Sequence, residues 1–151
     1  MITGYLLPDE FKRVYSIVPR LCADLIIKMH GGIILTLRNL PQWENHWHLP
    51  GGTIYYKETI EQAVARISQN ELNISVEMIR PLGYIEYPSE EKERGFGWSV
   101  SIPIVCVSNS REFKVGEDAS EARVFTELPD TIIPEQKTFL SSHWVDIISG
   151  M

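Results

Sequence analysis

Residues 51–74 constrain the fold of this chain most, because they join a glycine-rich turn to one amphipathic helix. The Gly51-Gly52 pair allows positive φ angles and a close approach of the backbone to another group. Thr59 and Gln62 have the spacing of a capping box, so the helix is predicted to begin directly after Thr59. Asn73 suits the left-handed residue that follows a helix end.

The predicted helix carries one apolar face with a single acidic residue on it. The apolar residues recur at positions i, i+3, i+4 and i+7, which are Ile60, Ala63, Val64 and Ile67. Glu71 follows four residues later, so its carboxylate lies on the same face and needs a partner. Either the last helical turn has reached the surface, or Glu71 faces a cation that backbone carbonyls of Gly51 and Gly52 also bind. Hard ions such as Mg²⁺ prefer this oxygen ligand set.

The same stretch resembles the Nudix box, G-x5-E-x7-R-E-U-x-E-E-x-G-U, in which U is a bulky aliphatic residue. The matching positions are Gly52, Glu58, Arg66, Glu71 and Ile74. Four positions depart from the box, namely Ile67, Ser68, Asn70 and Asn73, which replace Glu, an aliphatic residue, Glu and Gly. The resemblance implies a Nudix-type α/β/α sandwich with a mixed β-sheet, in agreement with strands that surround a central helix.

The degenerate segment R-I-S-Q-N-E-L-N-I is similar to that of the GDP-mannose mannosyl hydrolase branch of the Nudix superfamily. That branch binds one Mg²⁺ and breaks the sugar C–O bond of a nucleoside-diphosphate sugar. The resemblance therefore implies Mg²⁺ as cofactor, a nucleotide-sugar substrate and a homodimer. It also places Asp24 in the sugar site and Arg38 against the leaving phosphate.

The resemblance further implies a metal site of Gly51, Gly52, Glu71 and Asp118, with Arg66 orienting Glu58. In the mannosyl hydrolases a Gln-His pair supplies a metal ligand and the general base; here Asp118 and Ala119 stand at those positions. Ala119 cannot accept a proton, which leaves the candidate bases Glu117, Asp118 and Glu121. A basic residue often found after Gly-Gly is replaced by Thr53.

The same residues also allow other interpretations. Asp24 and Arg38 would also suit the solvent-exposed surface. The chemistry could instead be P–O–P cleavage of the ordinary Nudix kind, or the chain could be a nucleotide-sugar binding module without catalysis. His46 and His48 are two residues apart, as in some transition-metal sites, but no third soft ligand lies nearby in the sequence.

The remaining elements are predicted from apolar periodicity and turn residues, within one domain over residues 1–151. Helices are expected over about 8–18 and 134–148, and a hairpin turns at 30–32. The strand over 98–108 contains Pro103, so it is expected to bulge or to lie at a sheet edge. The polar run 90–94 is expected to be a solvated hairpin tip.

Composition restricts the class of partner. The chain has 151 residues, 44% hydrophobic content and a net charge of −6, with no basic cluster, which argues against a nucleic-acid partner. Cys22 and Cys106 lie in apolar runs and are expected to be reduced thiols. No signal-like or membrane-spanning stretch appears, so a cytoplasmic protein without a membrane partner is expected.

Overall fold

The computed structural model describes residues 6–110 and 112–149, which form a mixed eight-stranded sheet with a helix packed on each face. The elements are α1 (Pro8–Tyr15), β1 (Arg20–Met29), β2 (Gly32–Arg38), β3 (Trp47–His48), β4 (Gly51–Thr53), α2 (Ile60–Leu72), β5 (Glu77–Pro81), β6 (Ile85–Glu86), α3 (Ser89–Arg94), β7 (Ser99–Val107), β8 (Ala119–Phe125) and α4 (Pro134–Ser149). The predicted α/β/α sandwich with a mixed sheet is confirmed.

Strand β1 lies at the centre of the sheet, whose main order is β3-β2-β1-β7-β5. It pairs in parallel with β7 and antiparallel with β2 and β4. Strand β8 extends the sheet beyond β2, and β6 pairs with β7. Because β1 is covered on both faces, it forms a nearly continuous apolar run in the sequence.

Alternate residues of β1 face two separate hydrophobic cores. Leu25 and Ile27 pack against α2, whose contributions include Val64 and Ile67. Ile26 faces the opposite side, where Leu140 and Ile147 of α4 complete the second core. The period-2 alternation of a strand thus places a helix on each face of the sheet.

Helix α2 follows the sequence prediction closely. The Thr59 side chain accepts a hydrogen bond from the Gln62 N–H, the Gln62 side chain accepts one from the Thr59 N–H, and Asn73 ends the helix with a φ of 55°. The terminal helices are also confirmed, although α1 ends at Tyr15, earlier than the predicted 18.

Two predictions about strands and tips are wrong. Residues 90–94 belong to α3, and Glu90 is buried with only 1% exposed, so this run is not a solvated tip.

Pro103 lies inside β7, between β1 on one side and the β5–β6 segment on the other. Its carbonyl accepts a hydrogen bond from the Leu82 N–H at 2.9 Å, where the neighbouring strand changes from β6 to β5. The missing N–H of Pro103 faces this interruption, so proline is tolerated there.

The two cysteines are buried free thiols. They lie on the adjacent strands β1 and β7, but Cys22 is opposite Ser101 and Cys106 is opposite Ile27. This register keeps the two sulfur atoms apart, so the reduced state is accounted for by geometry.

Among residues 6–110 and 112–149, no helix is both long and apolar enough to cross a lipid bilayer.

Candidate active site

A cavity of about 280 Å³ gathers most of the residues predicted from the sequence. It is lined by Asp24, Arg38, Gly51, Gly52, Glu71 and Asp118. A second opening of about 510 Å³ shares Gly51, Gly52, Glu71 and Asp118, and adds Arg66 and Glu117. The acidic pair Glu71 and Asp118 therefore lies between two solvent-accessible spaces.

Glu71 and Asp118 are brought together by a close approach of the chain to the end of α2. The Gly116 N–H donates to the Glu71 carbonyl at 3.0 Å. A Cβ at Gly116 would lie 2.5 Å from the Asn70 carbonyl oxygen, so only glycine allows this approach. Burial, followed by the charge of Asp118, raises the pKa of Glu71 to about 7. Glu71 is therefore partly buried beside Asp118, although Gln69 and Asn70 in the same last turn of α2 are exposed.

The donor set around Glu71 fits a hard divalent cation. It consists of two carboxylates that repel each other, and both face the same space as the Gly51-Gly52 backbone. Mg²⁺ is commonly bound by one or two carboxylates together with substrate phosphates. Within the described residues there is no group of three or more His, Cys, Asp or Glu side chains placed to hold a metal. The metal-binding roles of Gly51 and Gly52 stay predictions.

Arg38 lies at the end of β2, directly opposite Ala119 at the start of β8. Its Nε donates to the Gln42 carbonyl at 2.8 Å, and its guanidinium carbon lies 5.4 Å from the centre of the Trp43 ring. Burial, followed by the charge of Arg94, lowers the pKa of Arg38. Since the side chain lines the cavity, the plain surface interpretation is wrong.

Asp24 is buried on the cavity wall, 7% exposed, so it is not an acid on the solvent face. The Tyr87 hydroxyl donates to its Oδ2 at 2.5 Å, and Gln136 Nε2 donates to the Tyr87 oxygen at 2.9 Å. Burial raises the pKa of Asp24, although the Tyr87 hydrogen bond opposes the shift. This chain of fixed polar groups can recognise hydroxyls of a ligand. Neither Tyr87 nor Gln136 has a local sequence signal that predicts its place in the site.

The far end of the cavity holds an ionic cluster that sequence reasoning missed. Glu90 accepts hydrogen bonds from Arg20 Nη2 at 2.9 Å, Arg94 Nε at 3.1 Å and the Ser99 hydroxyl at 2.5 Å. Arg20 Nη1 also donates to the Thr53 hydroxyl at 2.8 Å. The guanidinium of Arg20 therefore contacts Thr53, which stands after Gly-Gly in place of the basic residue often found there.

Arg66 pairs with Glu58, as predicted. Its Nε donates to Glu58 Oε2 at 2.7 Å, and its Nη2 donates to Glu58 Oε1 at 3.0 Å and to the Thr53 carbonyl at 2.7 Å. The guanidinium also lies 3.8 Å from the centre of the Tyr55 ring. Arg66 thus ties α2 to the loop after β4, and it borders only the second opening.

The three candidate bases differ in location. Asp118 and Glu117 line the second opening. Glu121 is paired with Arg123 at 2.6 Å and lines neither space, which removes it as a candidate. Ala119 lines the first cavity. The position that carries the catalytic histidine in the mannosyl hydrolases therefore lies at the site, but here its side chain cannot accept a proton.

His48 lines the cavity in a fixed neutral form. Its Nδ1 lies 2.7 Å from the Leu49 carbonyl and must donate to it, so Nε2 accepts from the Thr36 hydroxyl at 3.0 Å. Burial, followed by the charge of Arg38, lowers the pKa of His48 to about 3. His46 is half-buried outside the cavity, with Nδ1 3.1 Å from the Glu44 carbonyl. The two histidines therefore do not converge on one metal.

The family model of the NUDIX domain matches residues 19–143. Among curated proteins, "Low-salt glycan biosynthesis protein Agl8" of Haloferax volcanii is 33% identical over 79 residues, which are 52% of this chain and 51% of that protein. "ADP-ribose pyrophosphatase" of Methanocaldococcus jannaschii is 29% identical over 121 residues, 79% of this chain and 70% of that protein. The match to Agl8 thus spans about half the length of that relative.

Solved structures show the same fold. A NUDIX hydrolase from Nitrosomonas europaea has a TM-score of 0.74 at 21% identity, covering 88% of this chain and 74% of that one. A MutT NUDIX hydrolase from Burkholderia pseudomallei has a TM-score of 0.73 at 24% identity, covering 82% and 97%. A bifunctional NMN adenylyltransferase/ADP ribose pyrophosphatase from Francisella tularensis, solved with AMP and a manganese ion, has a TM-score of 0.67 at 18% identity, covering 92% and 46%. With the family model matching most of its length, the chain belongs to the Nudix hydrolase family.

Proposed function

We propose that this protein is a Mg²⁺-dependent hydrolase of a nucleoside-diphosphate sugar of the GDP-mannose kind, which releases the nucleoside diphosphate and the free sugar by C–O cleavage. One observation carries the proposal. The carboxylates of Glu71 and Asp118 lie beside Arg38 in one cavity, and Asp24 forms the adjoining wall. A site for a metal-bound diphosphate thus adjoins a site for hydroxyl groups.

The roles of the residues follow from charge and location. Glu71, Asp118 and the backbone carbonyls of Gly51 and Gly52 would hold Mg²⁺, which when bound neutralises charge on the leaving diphosphate. Arg38 donates to the same diphosphate, and planar guanidinium groups suit phosphate oxygens. Asp24, held by Tyr87, accepts a hydrogen bond from a sugar hydroxyl and keeps C1 in line for attack.

The proton of the attacking water needs an acceptor. Glu117 is exposed in the second opening, next to Asp118, where water reaches the acidic pair from outside the first cavity. Glu117 and Asp118 stay the two candidates for this base, and Asp118 is the one that also lines the first cavity, where the sugar would lie. Arg66 acts indirectly, since its donors are bound to Glu58 and to the backbone of Thr53.

A second candidate function is P–O–P cleavage of the same class of substrate. It is supported by the similarity to the ADP-ribose pyrophosphatase of M. jannaschii, because ADP-ribose is itself a nucleoside-diphosphate sugar. C–O cleavage is favoured because Ile67 and Asn70 stand where the Nudix box has acids, so α2 supplies one metal-binding carboxylate, Glu71.

The deciding experiment is ³¹P NMR of the reaction in H₂¹⁸O with Mg²⁺, using GDP-mannose and ADP-ribose as separate substrates. C–O cleavage yields a nucleoside diphosphate with no ¹⁸O on phosphorus, and the label enters the sugar. P–O–P cleavage yields a nucleoside monophosphate and a sugar phosphate, one of which carries ¹⁸O. Binding without any product would instead support a catalytically silent module.

Two variants connect this activity to the acidic pair. Glu71→Gln should lower turnover more than about 100-fold, because even residues that only orient a metal ligand contribute 10- to 100-fold. Asp118→Asn should raise the Mg²⁺ concentration needed for half-maximal activity. Glu77→Gln is the matched control, since Glu77 is exposed on β5 and lines neither space at the acidic pair. Unchanged turnover in Glu71→Gln would show that the metal site is wrong.

A further inference from the structure

Helix α3 is anchored so that its last residue faces the cavity. The Trp43 backbone N–H donates to Glu93 at 2.8 Å, and the Trp43 indole N–H donates to the Ser89 hydroxyl at 3.1 Å. Glu135 of α4 accepts from the Ser89 N–H at 2.8 Å. These bonds fix both ends of the short helix, and Arg94 at its end lines the cavity.

The orientation of Arg94 is set by Glu90. Glu90 accepts from Nε of Arg94, one turn away, and its remaining partners are Arg20 and Ser99. Among residues 6–110 and 112–149, neither Nη group of Arg94 has a hydrogen-bond partner. The side chain is only 20% exposed, so these donors face a confined space and not bulk water.

Arg38 presents the same kind of unused donors. Its Nε is bound to the Gln42 carbonyl, while its Nη groups make no hydrogen bond within the described part of the chain. Arg38 and Arg94 line the same cavity, and burial, followed by the charge of Arg94, lowers the pKa of Arg38. Such a pair of half-buried cations is relieved by an anion between them.

The charge balance leaves room for that anion. Glu90 is shared between Arg20 and Arg94, so this cluster of three side chains carries one net positive charge. Arg38 adds a second positive charge on the side of the acidic pair, and Asp24 on the wall of the same cavity adds one negative charge. With the acidic pair neutralised, the cavity therefore keeps one net positive charge. A bound cation on Glu71 and Asp118 would remove the counter-charge nearest to Arg38.

We infer that Arg94 is an anion-binding residue of the substrate cavity, which together with Arg38 binds one anionic group of the nucleotide sugar. The identity of the ligand rests on the function proposed above. The group is either the diphosphate or a carboxylate on the sugar, because each offers at least two anionic oxygens to the two guanidinium groups.

The test measures binding of inorganic pyrophosphate and GDP with Mg²⁺ present, and of GDP-mannose and GDP-mannuronate with EDTA present so that they are not hydrolysed, to four forms of the protein. These are the wild type, Arg94→Gln, Arg94→Lys and the control Arg80→Gln. Arg80 forms an exposed pair with Asp146 on another surface. Arg94→Lys keeps the charge, which guards against misfolding of the neutral variant, and circular dichroism checks the fold of each protein.

Loss of about tenfold or more in pyrophosphate and GDP affinity in Arg94→Gln, with a smaller loss in Arg94→Lys, supports binding of the diphosphate. Loss confined to GDP-mannuronate supports binding of a sugar carboxylate. Affinities within twofold of the wild type for all four ligands would overturn the inference, as would their failure to bind the wild type. Since no turnover is measured, this result is separate from the identity of the hydrolysis products.

Discussion

Gly51 shows how the absence of one side chain shapes the candidate site. A Cβ at this position would lie 2.3 Å from Asp24 Oδ1 and 2.7 Å from the Ala23 carbonyl oxygen. The glycine therefore lets β4 pair with β1 while the Asp24 carboxyl stays in the cavity wall. At the neighbouring Gly52, the nearest atoms to such a Cβ belong to the Ile67 side chain at 3.8 Å.

We predict that Gly51→Ala lowers the free energy of unfolding by about 1–3 kcal/mol, the usual cost of overpacking. Gly52→Ala should leave it unchanged or raise it by a few tenths of a kcal/mol, because the extra methyl group makes ordinary contacts. Urea unfolding of both variants checks this, with circular dichroism as the signal. Equal destabilisation of the two variants would contradict the close approach between Gly51 and Asp24.

The Glu58–Arg66 pair predicts a pH dependence of stability. Hydrogen bonds from Arg66 lower the pKa of Glu58 below its ordinary 4.5, against the opposing effect of burial. The ionised form is thus favoured in the folded state, so its stabilisation is present above about pH 4.5 and is lost as the pH falls through the folded-state pKa.

Glu58→Gln should therefore lower the free energy of unfolding by about 1–3 kcal/mol at pH 7. The difference from the wild type should shrink as the pH is lowered from 6 to 3, which urea unfolding at each pH measures. Glu61→Gln is the control, because Glu61 is exposed on the first turn of α2. A difference that stays constant over this range would show that the ionised pair contributes nothing.

At the scale of elements, α3 depends on one buried acid. Glu90 is 1% exposed and is the counter-charge that Arg20 and Arg94 share, so its loss leaves two half-buried cations without a paired carboxylate. Glu90→Gln should lower the free energy of unfolding by about 3 kcal/mol. By contrast, Asp146→Asn breaks the exposed Arg80–Asp146 pair and should cost less than about 1 kcal/mol. Similar costs for both variants in urea unfolding would mean that Glu90 does not hold the helix.

Helices α2 and α3 show which parts of the fold can be predicted from sequence. Helix α2 was predictable because its cap, apolar face and left-handed end are all local signals within 15 residues. The six residues of α3 are mostly charged, a pattern that by itself predicts a solvated tip. The structure shows instead that Arg20 forms an ion pair with Glu90 of this helix. Since Arg20 and Glu90 are 70 positions apart, no local pattern predicts their ion pair.

At the scale of the whole molecule, the surface near α1 bears on assembly. Ile17 is 77% exposed, Val18 45%, Leu21 48% and Trp98 46%. The Arg20 N–H donates to the Trp98 carbonyl, so Val18, Leu21 and Trp98 lie together where the parallel strands β1 and β7 begin. We propose that this apolar surface and α1 form the interface of the homodimer that the resemblance implies.

Ile17→Asp should then convert the dimer to a monomer in sedimentation velocity, because a charge in the apolar interface is desolvated without a partner. Val145→Asp is the matched control, since Val145 is 79% exposed on α4. A wild-type protein that sediments as a monomer at all concentrations would contradict the proposal.

The candidate site was only partly predictable. Glu71, Asp118, Arg38 and Asp24 were found because they occupy motif positions or interrupt apolar runs. The residues that were missed come from four separate parts of the chain: Arg20 from β1, Tyr87 from the segment after β6, Arg94 from α3 and Gln136 from α4. Only the parallel pairing of β1 with β7 and the packing of α4 bring them together. Such long-range juxtapositions follow from topology and leave no periodic signal in the sequence.

The position of Trp43 gives the protein an intrinsic optical probe. Of the four tryptophans, Trp43 alone lines the first cavity, with its ring beneath Arg38 and its indole N–H bound to Ser89. An anion that draws Arg38 away from the indole changes the quenching of one fluorophore and leaves the other three as an internal reference. Ligand titrations can thus be followed by tryptophan emission without any label, and Trp43→Phe identifies the part of the signal that comes from the cavity.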